Sequence, residues 1–562
     1  MDANAQSTSA GPWRESPQWQ QADIRQQAQT IGFWWRSPRR VAHQLGRSDS
    51  SLRYCLRRHR QRCQDSRWPR PVVDFLDSPD GIELLHHLHV ALHLVFGQAN
   101  DCGLRALSQF LKLSGLDEFL PASYGALQAF AVELETSLGE YGQQQEQQLA
   151  AHMPPREITL CEDETFHPQI CLVAIEPVSN YLLLEQYVTA RDANTWNQAL
   201  DPRLASWSIT VAQVTSDEAA ALIAHAEQHL GAHHSPDLFH VQQETVKATS
   251  LALAGQTRRA NQALHDAEQA TAQLRAEQAA CQEQCPSSTH VPQLQPQIEQ
   301  ALSAEAEARQ QLAVCQQRQQ QATEARHGLS HDYHPIDLET GQPLEAEEVS
   351  RRLSGHFDRL DEIAEQAGLS ESARGRLAKA RRVLDAMIAT IAFFWTTVAQ
   401  RLASRNLPPD VSAWLREQLI PGVYLKTVAA KASTAAQREQ MRARAEEVLA
   451  RARSPDGVWG RLSVVEQAAM EGLAQECAGL FQRSSSCVEG RNGQLSLKHH
   501  ALHRLTPRKL VALGVLHNFL VQRRDGTTAA ERFFGQRPQP LYAWLVGYLP
   551  FPGRPWHKQH CG

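Results

Sequence analysis

Strand-like sequence is confined to one stretch, residues 156–244, of an otherwise helix-patterned chain, and that stretch limits the folds available. REITLCEDETF, QICLVAIEP and NYLLLEQYV are three short runs rich in β-formers, joined by turn signals of which PVSN is the clearest. RDANTWNQAL then has helical spacing. ITVAQVTSD reads as a fourth strand, EAAALIAHAEQHL as a helix and PDLFHVQQE as a fifth strand-like piece. The expected order is βββαβαβ, an α/β class with a mixed sheet.

A chain of 562 residues exceeds one core and predicts three or four domains. Hydrophobic content of 42%, charged content of 21% and a net charge of −5 are ordinary for a globular protein. The start, MDANAQSTSAGPWRESPQWQ, has no apolar segment behind a basic one, so no signal peptide is read and residues 1–30 are expected to be a disordered tail. VLDAMIATIAFFWTTVAQRL, at 383–402, contains Asp385 and Arg401 and reads as a buried helix. The expectation is a cytoplasmic protein with no membrane partner. The 11 cysteines form no CxxC pair and no matching CxxC and HxxxH spacing, which argues against a structural zinc site and for reduced thiols. The nearest pair, Cys281 and Cys285, lies in a Gln-rich helical region.

Positive charge is concentrated near the N-terminus. Between residues 33 and 70, Arg36, Arg39, Arg40, Arg47, Arg53, Arg57, Arg58, Arg60, Arg62, Arg67 and Arg70 face only Asp49 and Asp65. Within it, SPRRVAHQLGRSDSSLRYCLRRHR reads as a helix with Pro38 in its first turn, a turn at Gly46 and a second helix capped near Ser48. That is helix-turn-helix grammar. It places Arg47, Ser50, Ser51 and Arg53 near base edges and Arg57, Arg58 and Arg60 nearer phosphates of double-stranded DNA. A second unit of this kind is read over 103–138, with Ser123 as a cap. Between them, the leucines and valines of DGIELLHHLHVALHLVFG define a buried face, and His86, His87, His89 and His93 read as core or surface residues. Residues 31–150 form one helical DNA-binding region in this reading.

Residues 257–328 are rich in Ala, Gln, Glu and Arg around PSSTHVPQLQP. Leu264, Ala267, Leu274 and Cys281 on one arm, and Ile298, Ala301, Ala308, Leu312 and Cys315 on the other, predict an antiparallel helical hairpin. More helices follow to about 475.

The chemistry rests on carboxylates. Asp163 lies in the first strand and Asp217 ends the fourth, so adjacent strands would bring them together. Glu162 and Glu164 would point to the opposite face, because strand side chains alternate. Two carboxylates about 5 Å apart repel by about 3 kcal/mol at an effective dielectric near 20, so a cluster of them protonates or binds metal. Oxygen ligands select Mg²⁺ or Mn²⁺, and two such ions can activate a nucleophile and stabilise a leaving oxygen at a phosphodiester. Alone, Asp217 in SDEAAAL is also a plausible helix cap.

The element order with Asp163, Asp217 and Glu489 resembles the RNase H-like catalytic domain of DDE transposases from bacterial insertion sequences. SSSCVEGRNGQL is similar to their V-E-x-x-N signature on the helix bearing the third acid. HNFLVQRRDGTTAAERFFG resembles their closing segment, and PDLFHVQ supplies a D-x-F-H pattern through Asp237 and His240. The resemblance implies an RNase H-like core over 151–245 and 476–545, an all-helical insertion over 246–475, and a C-terminal tail at 546–562. It implies two Mg²⁺ or Mn²⁺ ions on Asp163, Asp217 and Glu489, with His240 either structural or at the scissile phosphate. It also implies cleavage and strand transfer at transposon inverted-repeat ends and target DNA, in a dimer or larger complex. Arg491, Asn492, Lys498 and Arg504 would hold DNA phosphates. Helical insertions at this position resemble those of the hAT-like group, where an aromatic residue stacks on a flipped base; Trp395 and Trp414 are the candidates, with core packing the favoured reading. A domesticated DNA-binding protein, or a nuclease without strand transfer, is the alternative.

Overall fold

The computed structural model describes residues 11–31, 37–284, 290–432, 434–502 and 505–555. The chain divides into two compact units. The first comprises Met1–Arg156, Asp163–Thr210 and Cys487–Gly562, and the second comprises Glu157–Glu162 and Val211–Ser486.

Five strands, β1 (Arg156–Phe166), β2 (Ile170–Glu176), β3 (Tyr181–Val188), β4 (Ile209–Ser216) and β5 (His233–Pro236), form one mixed sheet in the order β3-β2-β1-β4-β5. β2 and β3 are antiparallel, from Ile170 opposite Val188 to Glu176 opposite Tyr181. Asn180, at φ +64°, makes the left-handed turn between them, a conformation its short polar side chain tolerates. β4 and β5 are parallel, with Ser216 opposite Pro236. Cys171 to Ile175 are completely buried, as in a strand covered on both faces.

The fifth strand corrects the sequence reading. It is HHSP rather than PDLFHVQQE, because a helix starts at Leu238. The reason is local: Asp237 Oδ1 accepts the Phe239 amide at 2.9 Å, turning the chain into its first helical turn, which apolar alternation alone could not reveal.

In the first unit the N-terminal helices are α1 (Pro17–Thr30), α2 (Pro38–Gln44), α3 (Asp49–Asp65), α4 (Arg70–Leu76), α5 (Pro79–Ala91), α6 (Leu104–Leu113) and α7 (Tyr124–Ala150), with α8 (Ala193–Ser206) following β3. Residues 1–10 of the expected tail lie outside the described residues, and the rest of it is a correction: Ser16 caps α1, and Ile24 and Ala28 of α1 pack with Val41 and Ala42 of α2 and Leu52 of α3. A glutamine-rich helix lacking a wide apolar stripe hides this role, since Ile24 and Ala28 suffice to join it to the cluster. The C-terminal tail is likewise packed over its described part, where Leu549 and Phe551 are buried and Phe551 joins the cluster of Trp13, Ile82 and Leu85.

In α5 the buried face is shared by Leu85, His86, His89 and Val90, while Leu84 and Leu88 are exposed. The buried face expected of the leucines and valines is present at Leu85, Val90, Leu92 and Leu94, with His86, His89 and His93 sharing it. His86 Nε2 donates to the Val546 carbonyl at 3.0 Å, and His89 and His93 pack edge-on or tilted against Phe130.

The second unit contains α9 (Ala220–Ala224), α10 (Leu238–Gln284), α11 (His290–Asp332) and a set of helices between Ala346 and Gly479. α10 and α11 make the hairpin, with Ala260, Leu264, Leu312 and Cys315 in its seam. The first arm begins at Leu238, upstream of the expected 257. Cys285 lies outside the described residues. Helix Leu384–Ser404 belongs to a segment long and apolar enough to cross a membrane by composition, yet Met387, Ile391, Phe394 and Val398 are in the core of this unit. Trp395 donates to the Leu344 carbonyl at 2.8 Å and Trp414 to the Ala452 carbonyl at 2.9 Å, so both are buried core residues.

Candidate functional site

β1 sorts its carboxylates as the pleat requires. Cys161 and Asp163 share one face: the Cys161 thiol reaches the Ser484 carbonyl, and Asp163 Oδ2 accepts Asn492 Nδ2 at 2.6 Å. Glu162 points the other way, fully buried, with His225 Nδ1 at 3.0 Å from its Oε2. Glu164 accepts from Trp196 Nε1 at 3.2 Å and pairs with Arg191 at 3.4 Å.

Glu489 sits in the first turn of helix Ser486–Leu502, where negative charge is favoured by the aligned peptide dipoles. Val488 and Leu495 anchor this helix in the core. Asn492 is three residues after Glu489, so the two share a helix face, and Asn492 bonds Asp163. Within the first unit, Asn492 thus ties the helix that bears Glu489 to the strand that bears Asp163. The buried Asn492 Oδ1 has no hydrogen-bond partner among the described residues, which leaves a neutral oxygen acceptor beside Asp163.

In the second unit, the carboxyl ends of β4 and β5 present Asp217 and Asp237. Asp217 follows β4 directly, and its Oδ1 accepts the Ala219 amide at 3.0 Å, a turn contact rather than a cap of α9. Asp237 is buried and receives the Phe239 amide at 2.9 Å, the Ser485 amide at 3.2 Å and the Ser485 hydroxyl. His240 lies in the first turn of α10, with Nε2 3.8 Å from Asp237 Oδ2. Asp237 therefore ties the start of α10 to the segment preceding Glu489. Sequence gave it only as part of a motif; a lone Asp before an aromatic does not announce burial.

The expected phosphate contacts have other partners. Arg491 is buried and clamps Glu185 of β3 through both carboxylate oxygens, at 2.6 and 2.7 Å. Asn492 serves Asp163, and Lys498 pairs with Asp101 at 2.6 Å. These three are fastenings of the first unit, a correction the sequence could not supply because their partners come from distant segments. Arg504 lies outside the described residues. The closing motif is also structural. Asn518 accepts the Leu182 amide at 2.9 Å and donates to the Leu182 carbonyl at 3.0 Å, acting as a short mock strand along edge strand β3. Thr528 and Glu531 form a capping box, and Arg532 donates to the Ser179 carbonyl at 2.9 Å. Burial pushes the neighbouring His517 down to about 4.

The N-terminal motif has its expected form. Gly46, at φ +62°, makes the turn, and Ser48 Oγ accepts the Ser51 amide at 3.1 Å to cap α3. Leu52, Cys55 and His59 face inward. Arg47, Ser50, Ser51, Arg53, Arg57, Arg58 and Arg60 are exposed. Arg53 is partly neutralised by Asp49 at 2.9 Å, whereas Arg47, Arg57, Arg58 and Arg60 form no ion pair among the described residues. Arg36 lies outside the described residues. The segment read as a second helix-turn-helix unit is α6 followed, after a short 3-10 turn, by α7, which Ser123 caps as expected by accepting the Ala126 amide at 3.3 Å.

Residues 415–561 match a family described as of unknown function, DUF6399. The match contains Glu489, Asn492 and the closing motif. Neither the curated proteins nor the solved structures contain a match.

Proposed function

We propose that the chain is a DNA transposase in which Asp163, Asp217 and Glu489 serve one metal-dependent phosphodiester chemistry and the N-terminal helices read transposon ends. The sheet order β3-β2-β1-β4-β5, with antiparallel β2/β3 and parallel β4/β5, supports an RNase H-like core for that chemistry. The observation that carries the reading is the Asn492–Asp163 hydrogen bond, because it links the first acid to the helix bearing the third.

The donor chemistry fits a hard divalent cation. Asp163 and Glu489 offer carboxylate oxygens, and Asn492 Oδ1 is a buried acceptor with no hydrogen-bond partner among the described residues. Mg²⁺ or Mn²⁺ would supply an acidified water or 3′-hydroxyl and charge stabilisation for the leaving oxygen. The protein's own residues hold the geometry. Asn492 fixes the Asp163 carboxylate, Asp237 and Ser485 fix the approach to Glu489, and the Arg491–Glu185 pair locks the helix against β3.

The test is Mg²⁺-dependent cleavage and joining of DNA carrying the ends that flank the coding region. Asp163→Asn, Asp217→Asn and Glu489→Gln should each abolish both steps while end binding, followed by fluorescence anisotropy, persists. Full cleavage by any of the three would overturn the assignment. Cleavage without joining would identify a nuclease.

A further inference from the structure

Three side chains of α3 and α4, one buried and two half-buried, converge without a role in the chemistry above. His59 and Cys63 are four residues apart on α3, and Asp74 comes from α4. His59 Nε2 is 2.7 Å from Asp74 Oδ1 and 3.5 Å from Cys63 Sγ, and Cys63 Sγ is 3.8 Å from Asp74 Oδ1. We propose that these three residues bind one Zn²⁺ ion, which fastens α3, the helix offered to DNA, against α4.

The ligand types and spacing both fit. An imidazole nitrogen, a thiolate and a carboxylate are the zinc donor set, and tetrahedral bonds of about 2.0 to 2.3 Å require donor separations of about 3.3 to 3.8 Å. Two of the three separations already meet this. The His59–Asp74 contact opens by about half an ångström when a metal replaces the shared proton. Zinc entry converts Cys63 from thiol to thiolate, its proton passing to solvent, and water fills the fourth position.

His59 has a carboxylate oxygen at each ring nitrogen. Its Nδ1 lies 2.7 Å from Asp77 Oδ2, an outer-sphere carboxylate of the kind that orients a metal-binding imidazole. Asp77 is also surrounded by Arg25, Arg62 and Arg554. These guanidiniums balance its charge and hold it in place behind His59. A plain His–Asp pair also gives no reason for a thiol placed 3.5 Å from the same nitrogen. Arg70 approaches only the other Asp74 oxygen, at 3.6 Å.

The experiment uses full-length protein stripped of metal and titrated with Co²⁺ and Zn²⁺. One equivalent of Co²⁺ should give a thiolate-to-cobalt charge-transfer band that Zn²⁺ displaces. Cys63→Ser, nearly isosteric, should lose the band, and Asp74→Asn should weaken Zn²⁺ binding at least tenfold with an unchanged circular dichroism spectrum. Because the chain has 11 cysteines, a band that survives in Cys63→Ser would overturn the proposal, as would absence of the band in the parent protein or unchanged affinity in Asp74→Asn.

Discussion

Asn492 Nδ2 stands 2.6 Å from Asp163 Oδ2, joining the middle of a helix near the C-terminus to the first strand of the sheet. Hydrogen bonds to a charged group contribute about 1.5 to 3 kcal/mol. Asn492→Ala should therefore lower stability in urea by about that amount and, in the proposed transposase, slow cleavage by releasing the Asp163 carboxylate. A variant with unchanged stability and unchanged rate would remove Asn492 from the site.

Arg491 and Glu185 are both buried, and their ion pair tests structural against nucleic-acid roles for the arginine. Arg491→Ala strands a buried carboxylate and is expected to cost about 3 to 5 kcal/mol, whereas Arg491→Met with Glu185→Leu should cost less because no charge is left unpaired. Denaturant titration of both checks the order. DNA affinity of the folded double variant should match the parent.

Arg57 and Arg60 of α3 are the contrasting case, exposed and without an ion pair among the described residues. Arg57→Ala with Arg60→Ala should leave stability within about 0.5 kcal/mol. If both meet phosphates, the slope of log affinity against log salt falls by about 2. An unchanged slope in a binding titration would place the DNA surface elsewhere.

Burial pushes His86 and His93 down to about 4 from 6.5. A folded-state value below the unfolded one means that unfolded chains bind more protons between these limits. Stability is thus full above about pH 6.5 and is lost as pH falls toward 4, by up to about 3 kcal/mol for each ring. Urea midpoints at pH 7 and pH 5 should differ strongly in the parent. They should differ less in His93→Leu; an equal difference would show that His93 does not carry the effect.

Asn518 substitutes for a missing neighbour along edge strand β3. Asn518→Leu keeps volume but removes both backbone contacts, and leaving buried peptide groups unpaired costs about 1 to 3 kcal/mol each. Hydrogen exchange at the Leu182 amide should accelerate. Exchange at the parent rate would mean that another group protects it.

Local pattern determined much of this protein. The alternating and apolar runs set the first four strands, the 3- and 4-residue multiples set the α10–α11 hairpin, and Gly46 with Ser48 set the turn and cap of α3. Each depends on residues within one or two turns of one another, so sequence contains the information. Side-chain partnership was decided only by the tertiary structure. Arg491 reads as a phosphate ligand until Glu185 neutralises it in the core, α1 reads as a tail until Ile24 and Ala28 meet Val41 and Leu52, and His59 and Cys63 acquire Asp74 from another helix. Charge and polarity are written residue by residue, but whether a group is solvated, paired or buried depends on chain segments brought together by folding.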